Sequence, residues 1–351
     1  MKKKYTQFII GLLLSIVFLY VSFRNVELKK IWETIKSINY WWAIPFLIIN
    51  TSSMYIRAMR WKILLEPAVR MGSKEVFSPL MICFGLNSIL PFRAGEFARA
   101  YVIQKKKKVS FSSVFATVVV ERIYDMLTII FLFALLLLFI RFDTSLELPY
   151  RFSFFGLKTK EFVLNASLLM SLSRKLSFSF LVILFVIVLF IIKGTRLFLM
   201  KLVRATLWFL PERPKEFIDK VIEKFAVGFD SLKSPKKIFL TIFYSLIIWL
   251  SVGWSIQFMS YGFKEFSISF LQANAIVIII CIAIALPSVP GYWGLYEAGC
   301  LFAILVLGIT NNRNYALSYS LVIHFGQVMV SVIIGMFFFF KEGLTLKEVS
   351  K

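Results

Sequence analysis

The apolar residues of this chain fall in long uninterrupted blocks, and that distribution limits it to very few folds. Phe8–Phe23, Met126–Ile140, Phe178–Ile192, Ile238–Met259, Ile276–Leu286 and Leu317–Phe340 carry almost no charge. A helix needs about 20 apolar residues to cross about 30 Å of hydrocarbon. Several blocks reach that length alone, and others do so once weakly polar neighbours are included. Backbone polar groups inside a bilayer must be satisfied within the segment, which helices achieve. Barrel strands would be short and alternating, and these blocks are neither. The expectation is an all-α polytopic membrane protein, with residues 1–351 as one integral membrane domain. About six full spans and two broken, re-entrant hairpins fit the pattern, and eight continuous spans is the alternative.

The ends of these blocks set the expected topology. Lys2-Lys3-Lys4 precede the first block, which places the N-terminus in the cytoplasm of a cell whose inner or plasma membrane holds the chain. That block ends Tyr-Val-Ser-Phe-Arg without a small-residue cleavage site, so it reads as a retained span. Leu28, Ile31, Trp32, Ile35 and Ile38 recur at helical spacing among lysines, the pattern of an amphipathic interfacial helix. Phe217, Val221, Phe225 and Phe229 repeat it between Pro214 and Pro235. The second span opens on Tyr40-Trp41-Trp42 and ends near Arg57, Arg60 and Trp61. The stretch Phe77–Leu90 is too short to cross and has basic residues on both flanks, which a hairpin with both ends on the cytoplasmic side explains. Met126–Ile140 rises only about 22 Å at 1.5 Å per residue. The charged group Glu121–Asp125 before it is therefore expected at or below headgroup level.

The net charge of +22 comes from 41 Lys and Arg against 19 Asp and Glu. Basic residues collect in the loops, where they orient the chain and attract anionic lipid, and no soluble basic domain exists to bind nucleic acid. Cys83, Cys281 and Cys300 lie singly in apolar segments, and His324 is the sole histidine. Neither a disulfide framework nor a structural zinc site is expected, and no metal or cofactor is implied. The loop G-x-x-x-x-G-K-[ST] does not occur, so nucleotide-driven transport is not indicated.

Ile89-Leu90-Pro91-x-x-x-Gly95-Glu96 is echoed by Ala285-Leu286-Pro287-x-x-x-Gly291, with Glu297 shortly after. Each follows an amphipathic helix and a span, and each precedes a further span. Residues 25–175 and 193–340 would then form an inverted repeat whose broken helices meet near the midplane. Chance recurrence in an apolar chain is the plain alternative. Pro91, Gly95, Pro287, Pro290, Gly291 and Gly294 are the expected hinge positions.

Charges inside a membrane cost about 2.5–3.5 kcal/mol each on insertion scales, which singles out Glu96, Glu121, Asp125 and Glu297 together with Arg93, Arg99 and Arg122. Glu96 and Arg99 stand three apart, as do Arg122 and Asp125, so each pair can share a helix face. One reading is an ion-pair scaffold that pins helices together. The other is a polar cavity for a headgroup, with arginines on phosphate and acids on amine or hydroxyls. Asn87 and Gln327 either complete that cavity or bond neighbouring helices. His324, one turn before Gln327, has a structural and a proton-relay reading. Gly294 and Ala298 read as a close-packing pair.

Asn87-x-x-Leu90-Pro91-x-Arg93-x-Gly95-Glu96-x-x-Arg99, followed by Glu121-Arg122-x-x-Asp125, resembles the membrane region of lysylphosphatidylglycerol synthases. Leu286-Pro287-x-x-Pro290-Gly291-x-x-Gly294-x-x-Glu297 looks like that family's later motif, and Arg57-x-x-Arg60-Trp61 like its second-span ending. The resemblance covers nearly the whole chain. It implies a flippase-like domain that stands alone, without the aminoacyl-transferase domain of the two-part synthases. The expected activity is movement of a phospholipid or lipid-linked headgroup between leaflets, with anionic phospholipid, aminoacyl lipid or glycolipid as partners. An integral membrane lipid transferase and a non-catalytic subunit of a lipid-synthesis complex are the alternatives. A homo-oligomer or lipid-synthesis enzymes are the expected protein partners.

Overall fold

The computed structural model describes residues 12–13, 15–20, 22–24, 26–91, 93–139, 234–264, 267–285 and 290–345, with the backbone of 148–150 and 162–164. The span Phe178–Ile192, the helix expected over Phe217–Phe229, and Pro287 lie outside the described residues. Helices dominate: α1 (Leu28–Ser37), α2 (Ala43–Leu65), α3 (Ser73–Ile89), α4 (Ala94–Lys107), α5 (Phe111–Phe139), α6 (Pro235–Ser260), α7 (Phe270–Ala283), α8 (Leu295–Val306) and α9 (Arg313–Lys341). A short antiparallel ribbon, β1 (Leu148–Tyr150) on β2 (Phe162–Leu164), is the one departure among the described residues. It pairs Pro149 with Val163. By length and apolarity, α6 and α9 can each cross a membrane. The helix α5 is as long as α9, at 29 residues.

Helix ends are set by local chemistry. Pro235 opens α6, where its missing N–H costs nothing. Ser269 and Gln272 cap α7 reciprocally, with bonds of 3.3 and 2.9 Å. Asn312 caps α9 by accepting from the Asn314 and Tyr315 N–H groups. Along α1, Ile31 and Thr34 are buried while Leu28 and Trp32 are exposed, so one side packs and the other faces outward. The packed side meets the start of α9, where the Glu27 N–H donates to Asn314 at 2.9 Å.

Helices α2 and α6 run antiparallel against each other. Lys237 reaches Glu66 at one end (2.9 Å), and that hydrogen bond holds the Glu66 carboxyl below its usual range. At the other end Trp42 packs on Phe258 and Tyr261. Two helical hairpins flank this pair. In the first, α3 turns back into α4, and Lys107 meets Glu75 at 2.7 Å, so both arms start and finish on the same side. Its base sits at the C-terminal end of α9, where Glu342 bonds Ser78 and Lys106. In the second, α7 turns back into α8. Its base joins the N-terminal end of α9 in a core of Ile268, Leu305, Tyr315 and Tyr319. The hairpins therefore approach from opposite ends of α9, which rises about 43 Å over its 29 residues.

Close backbone approach makes this possible. A Cβ on Gly95 would lie 2.0 Å from the Cys83 carbonyl oxygen, and one on Gly299 would lie 2.9 Å from the Ala283 Cβ. Each hairpin thus needs a glycine where its arms meet. Gly85 of α3 and Gly335 of α9 also meet face to face, and a Cβ on Gly85 would stand 2.8 Å from the Gly335 Cα. Gly335→Val should force α3 and α9 apart and cost about 1–3 kcal/mol by overpacking. Thermal unfolding of the detergent-solubilised protein reads this directly, and an unchanged transition would mean that the helices do not meet there.

Candidate functional site between the hairpin tips

Two polar clusters occupy the interior. The first is centred on Glu121, ten residues into α5 and fully buried. Its Oε2 accepts from Arg99 Nη1 at 2.9 Å, its Oε1 pairs with Arg122 Nη2, and Arg60 Nη2 lies at 3.3 Å. One turn on, Asp125 accepts from Arg60 Nη1 (2.6 Å) and from Trp249 Nε1 (3.2 Å), with Arg122 Nη2 at 3.3 Å. Arg60 Nη1 also donates to Ser245 at 2.8 Å. The Arg99 guanidinium lies 4.6 Å above the Trp61 ring, whose Nε1 donates to Thr117. This network joins α2, α4, α5 and α6. The Nε atoms of Arg60, Arg99 and Arg122 and the Oδ2 of Asp125 still find no hydrogen-bond partner.

The second cluster holds the tip of the second hairpin. His324 Nδ1 lies 2.5 Å from Glu297 Oε1, and its Nε2 lies 2.7 Å from the Gly291 carbonyl oxygen. A carbonyl only accepts, so Nε2 carries the hydrogen. One further proton is then shared between Nδ1 and the carboxyl, and the pair is neutral overall wherever that proton resides. Glu297 Oε2 accepts from the Gly294 N–H at 2.7 Å, closing the start of α8. Tyr296 stacks on the His324 ring, with centroids 4.0 Å apart. The first hairpin uses a neutral group for the same task, since Asn87 Oδ1 accepts from the Gly95 N–H at 2.9 Å.

The tips touch. A Cβ on Gly291 would lie 3.2 Å from the Ser88 carbonyl oxygen, and the Arg93 guanidinium sits 5.8 Å over the Tyr292 ring. Arg93 (φ 52°) and Tyr292 (φ 62°) are both left-handed, a conformation that costs about 1–2 kcal/mol without glycine. Backbone strain of this kind gathers at functional sites.

The residues singled out from sequence divide into two sets. Asn87, Arg99, Glu121, Asp125 and Glu297 each bond a protein partner, with part of Arg99 and Asp125 left unsatisfied. Arg93 is exposed, and Glu96 and Arg122 are partly so, meeting each other at 3.8 Å. The spacing of Glu96 and Arg99 suggested a pair, yet Arg99 turns to Glu121 and Glu96 to Arg122. Pro91, Gly95, Pro290, Gly291 and Gly294 all lie in or beside the two tips. The helix of the second span, α2, runs a turn past Trp61 to Leu65, and Arg60 and Trp61 are fully buried. The Glu121–Asp125 group lies within α5, where the arginines of α2 and α4 neutralise it. Arg57, missed from sequence as a site residue, lies over Phe84 and Trp249 at 5.8 and 5.3 Å. Its sequence signals were charge within an apolar helix and its place in Arg57-x-x-Arg60-Trp61. No group of three or more His, Cys, Asp or Glu converges as a metal site among the described residues.

Removing one partner of a buried pair leaves the other stranded, at about 3–5 kcal/mol. Asp125→Ala and Glu121→Ala should therefore unfold at clearly lower temperature, as should His324→Ala, which strands Glu297. Glu297→Gln, which keeps an acceptor for Gly294, should be milder than Glu297→Ala. Equal transition temperatures for these two would argue against the tip-closing role.

The chain matches one family over residues 8–335, described as the lysylphosphatidylglycerol synthase TM region. A "UPF0104 membrane protein MJ1595" of Methanocaldococcus jannaschii is 31% identical over 136 residues, 38% of this chain and 40% of that protein. "Glycosyltransferase AglD" of Haloferax volcanii is 28% identical over 120 residues, 34% of this chain and 19% of that protein. The chain thus spans less than half the length of either curated relative. No solved structure matches it. With the family covering nearly the whole sequence, and with apolar helices around paired interior charges, this chain belongs to the lysylphosphatidylglycerol synthase TM region family of membrane proteins.

Proposed function

We propose that this protein moves a lipid with a polar headgroup between the leaflets of a cell's inner or plasma membrane. The observation that carries this reading is the meeting of the two hairpin tips midway along α9, with half-open charged groups around the junction. A headgroup needs polar partners at the depth where lipid offers none. Arg93, Glu96 and Arg122 supply both signs of charge there, while acyl chains remain in the bilayer. Irregular backbone at such depth is tolerated where it is buried in protein or lines a polar cavity.

The packing supports an inverted repeat. Helix α2 corresponds to α6, α3 to α7, α4 to α8 and α5 to α9. In both sets the hairpin arms pack on each other, the first arm on the preceding helix and the second on the following one. The two hairpins come from opposite ends, as such a repeat requires. Orientation follows from charge. Lys62, Arg70, Lys74, the run Lys105–Lys108, Lys236, Lys237 and Lys341 all lie at the base of the first hairpin, which we assign to the cytoplasm. The charge of Lys2-Lys3-Lys4 leads us to assign the N-terminus to the cytoplasm as well. The partial match to a protein named as a glycosyltransferase favours a second reading, in which the chain presents a lipid-linked sugar to a transferase.

Reconstitution in vesicles with fluorescent lipid tests the proposal. Wild type should carry outer-leaflet lipid inward faster than empty vesicles do. Glu96→Gln and Arg122→Gln each remove a charge-assisted contact of about 1.5–3 kcal/mol and should slow this about ten- to a hundred-fold, with expression and insertion unchanged. Variants that insert normally and transport at the wild-type rate would sink the assignment.

A further inference from the structure

The geometry points to a phosphate site at the tip junction, with Arg57 and Arg93 as its ligands; this rests on the lipid-transport reading and names the headgroup chemistry. Five guanidinium groups, from Arg57, Arg60, Arg93, Arg99 and Arg122, lie in this region. They face three carboxylates, Glu96, Glu121 and Asp125. Every one of those carboxylates is already engaged by Arg60, Arg99 or Arg122. Glu297 adds no negative charge, because its pair with His324 is neutral as a unit. Among the described residues Arg57 and Arg93 form no ion pair: Arg57 lies over Phe84 and Trp249, within electrostatic reach of an Asp125 already bonded to Arg60, and Arg93 lies over Tyr292.

Arginine does not shed its proton in a protein. Among the described residues every carboxylate of this region is taken, and cations held against ring faces without a paired carboxylate favour binding of an anion. A ligand phosphate would complete them. Both groups are reachable, since Arg57 is half-buried and Arg93 exposed. They also lie on one side of the junction. Phe84, under Arg57, is one helical turn from Ser88, whose carbonyl meets Gly291, and Arg93 covers Tyr292 next to it. Cys281 is within electrostatic reach of both. Stacking on a ring leaves the N–H edges of a guanidinium free, and those edges fit phosphate oxygens in pairs. A surplus of two positive charges matches a phosphomonoester or diphosphate better than a phosphodiester, and repels a cationic headgroup.

The test uses the purified full chain in non-ionic detergent with short-chain lipids. Dioctanoyl phosphatidic acid should raise the unfolding temperature most, dioctanoyl phosphatidylglycerol less, dioctanoyl phosphatidylcholine less again, and dioctanoylglycerol not at all. Arg57→Gln and Arg93→Gln should each weaken phosphatidic acid binding at least tenfold, and Arg57→Lys should restore part of it. A flat order across the four lipids overturns the site, as does wild-type affinity in both Gln variants. Should Arg57→Gln fail to fold, Arg93→Gln at the exposed tip decides. Vesicle transport separates the two claims. Phosphate-selective binding without lipid movement keeps the site and sinks the transport reading. Lipid movement indifferent to headgroup phosphate and to both Gln variants keeps transport and overturns the site.

Discussion

Neutralisation of charge inside an apolar body is the condition on which this structure rests. Glu121 and Asp125 stand on consecutive turns of α5, both buried from the surface. Arg60 reaches them from α2, and Arg99 reaches Glu121 from α4, at 2.6–3.3 Å. Each guanidinium fixes the position of the helix that carries it. The first hairpin is thereby tied to α2 and α5 through its second arm, while the α3–α9 glycine contact holds its first arm. Replacement of such pairs by apolar residues is often neutral or stabilising elsewhere. Their value here lies in setting where α4 sits relative to α2 and α5, and hence where the tip with Arg93 projects.

The two tips are closed by unlike chemistry. Asn87 holds the first through a neutral amide, whereas Glu297 and His324 hold the second through a pair that shares a proton. Both devices satisfy a backbone N–H at the start of a helix, Gly95 in one case and Gly294 in the other. His324 does more, because its other nitrogen binds the Gly291 carbonyl. Left-handed Arg93 and Tyr292, stacked across the junction, show the backbone held away from its preferred state where the hairpins meet.

Committed and uncommitted charges have different uses in this arrangement. Arg60, Arg99, Glu121 and Asp125 are buried and paired with one another and so set shape, although guanidinium N–H groups of Arg60 and Arg99 and the Oδ2 of Asp125 keep unused hydrogen-bonding capacity. Among the described residues Arg57 and Arg93 form no ion pair and lie against ring faces, while the Arg122–Glu96 contact is long and half-open. This chain thus combines an ionic frame with a small set of guanidinium edges at the tip junction.

Much of the helical layout was legible in the chain. Blocks of apolar residues gave α6 and α9, and the Pro91–Gly95 and Pro290–Gly294 stretches marked the breaks, because proline and glycine punctuate helices whatever surrounds them. The family followed from motif spacing over Asn87–Arg99 and Glu121–Asp125. Pairing was not legible. Arg99 was as close in sequence to Glu96 as Arg122 was to Asp125, yet only the second pair formed, since a side chain chooses its partner by the helix that packs beside it. Arg57 looked like a span end, because a lone sequence shows charge but not the ring faces that cover it. Sequence alone determined the class of fold, through hydropathy and backbone chemistry that act locally. Only tertiary structure decided which cations keep a free edge, because counter-ions arrive from helices distant in sequence.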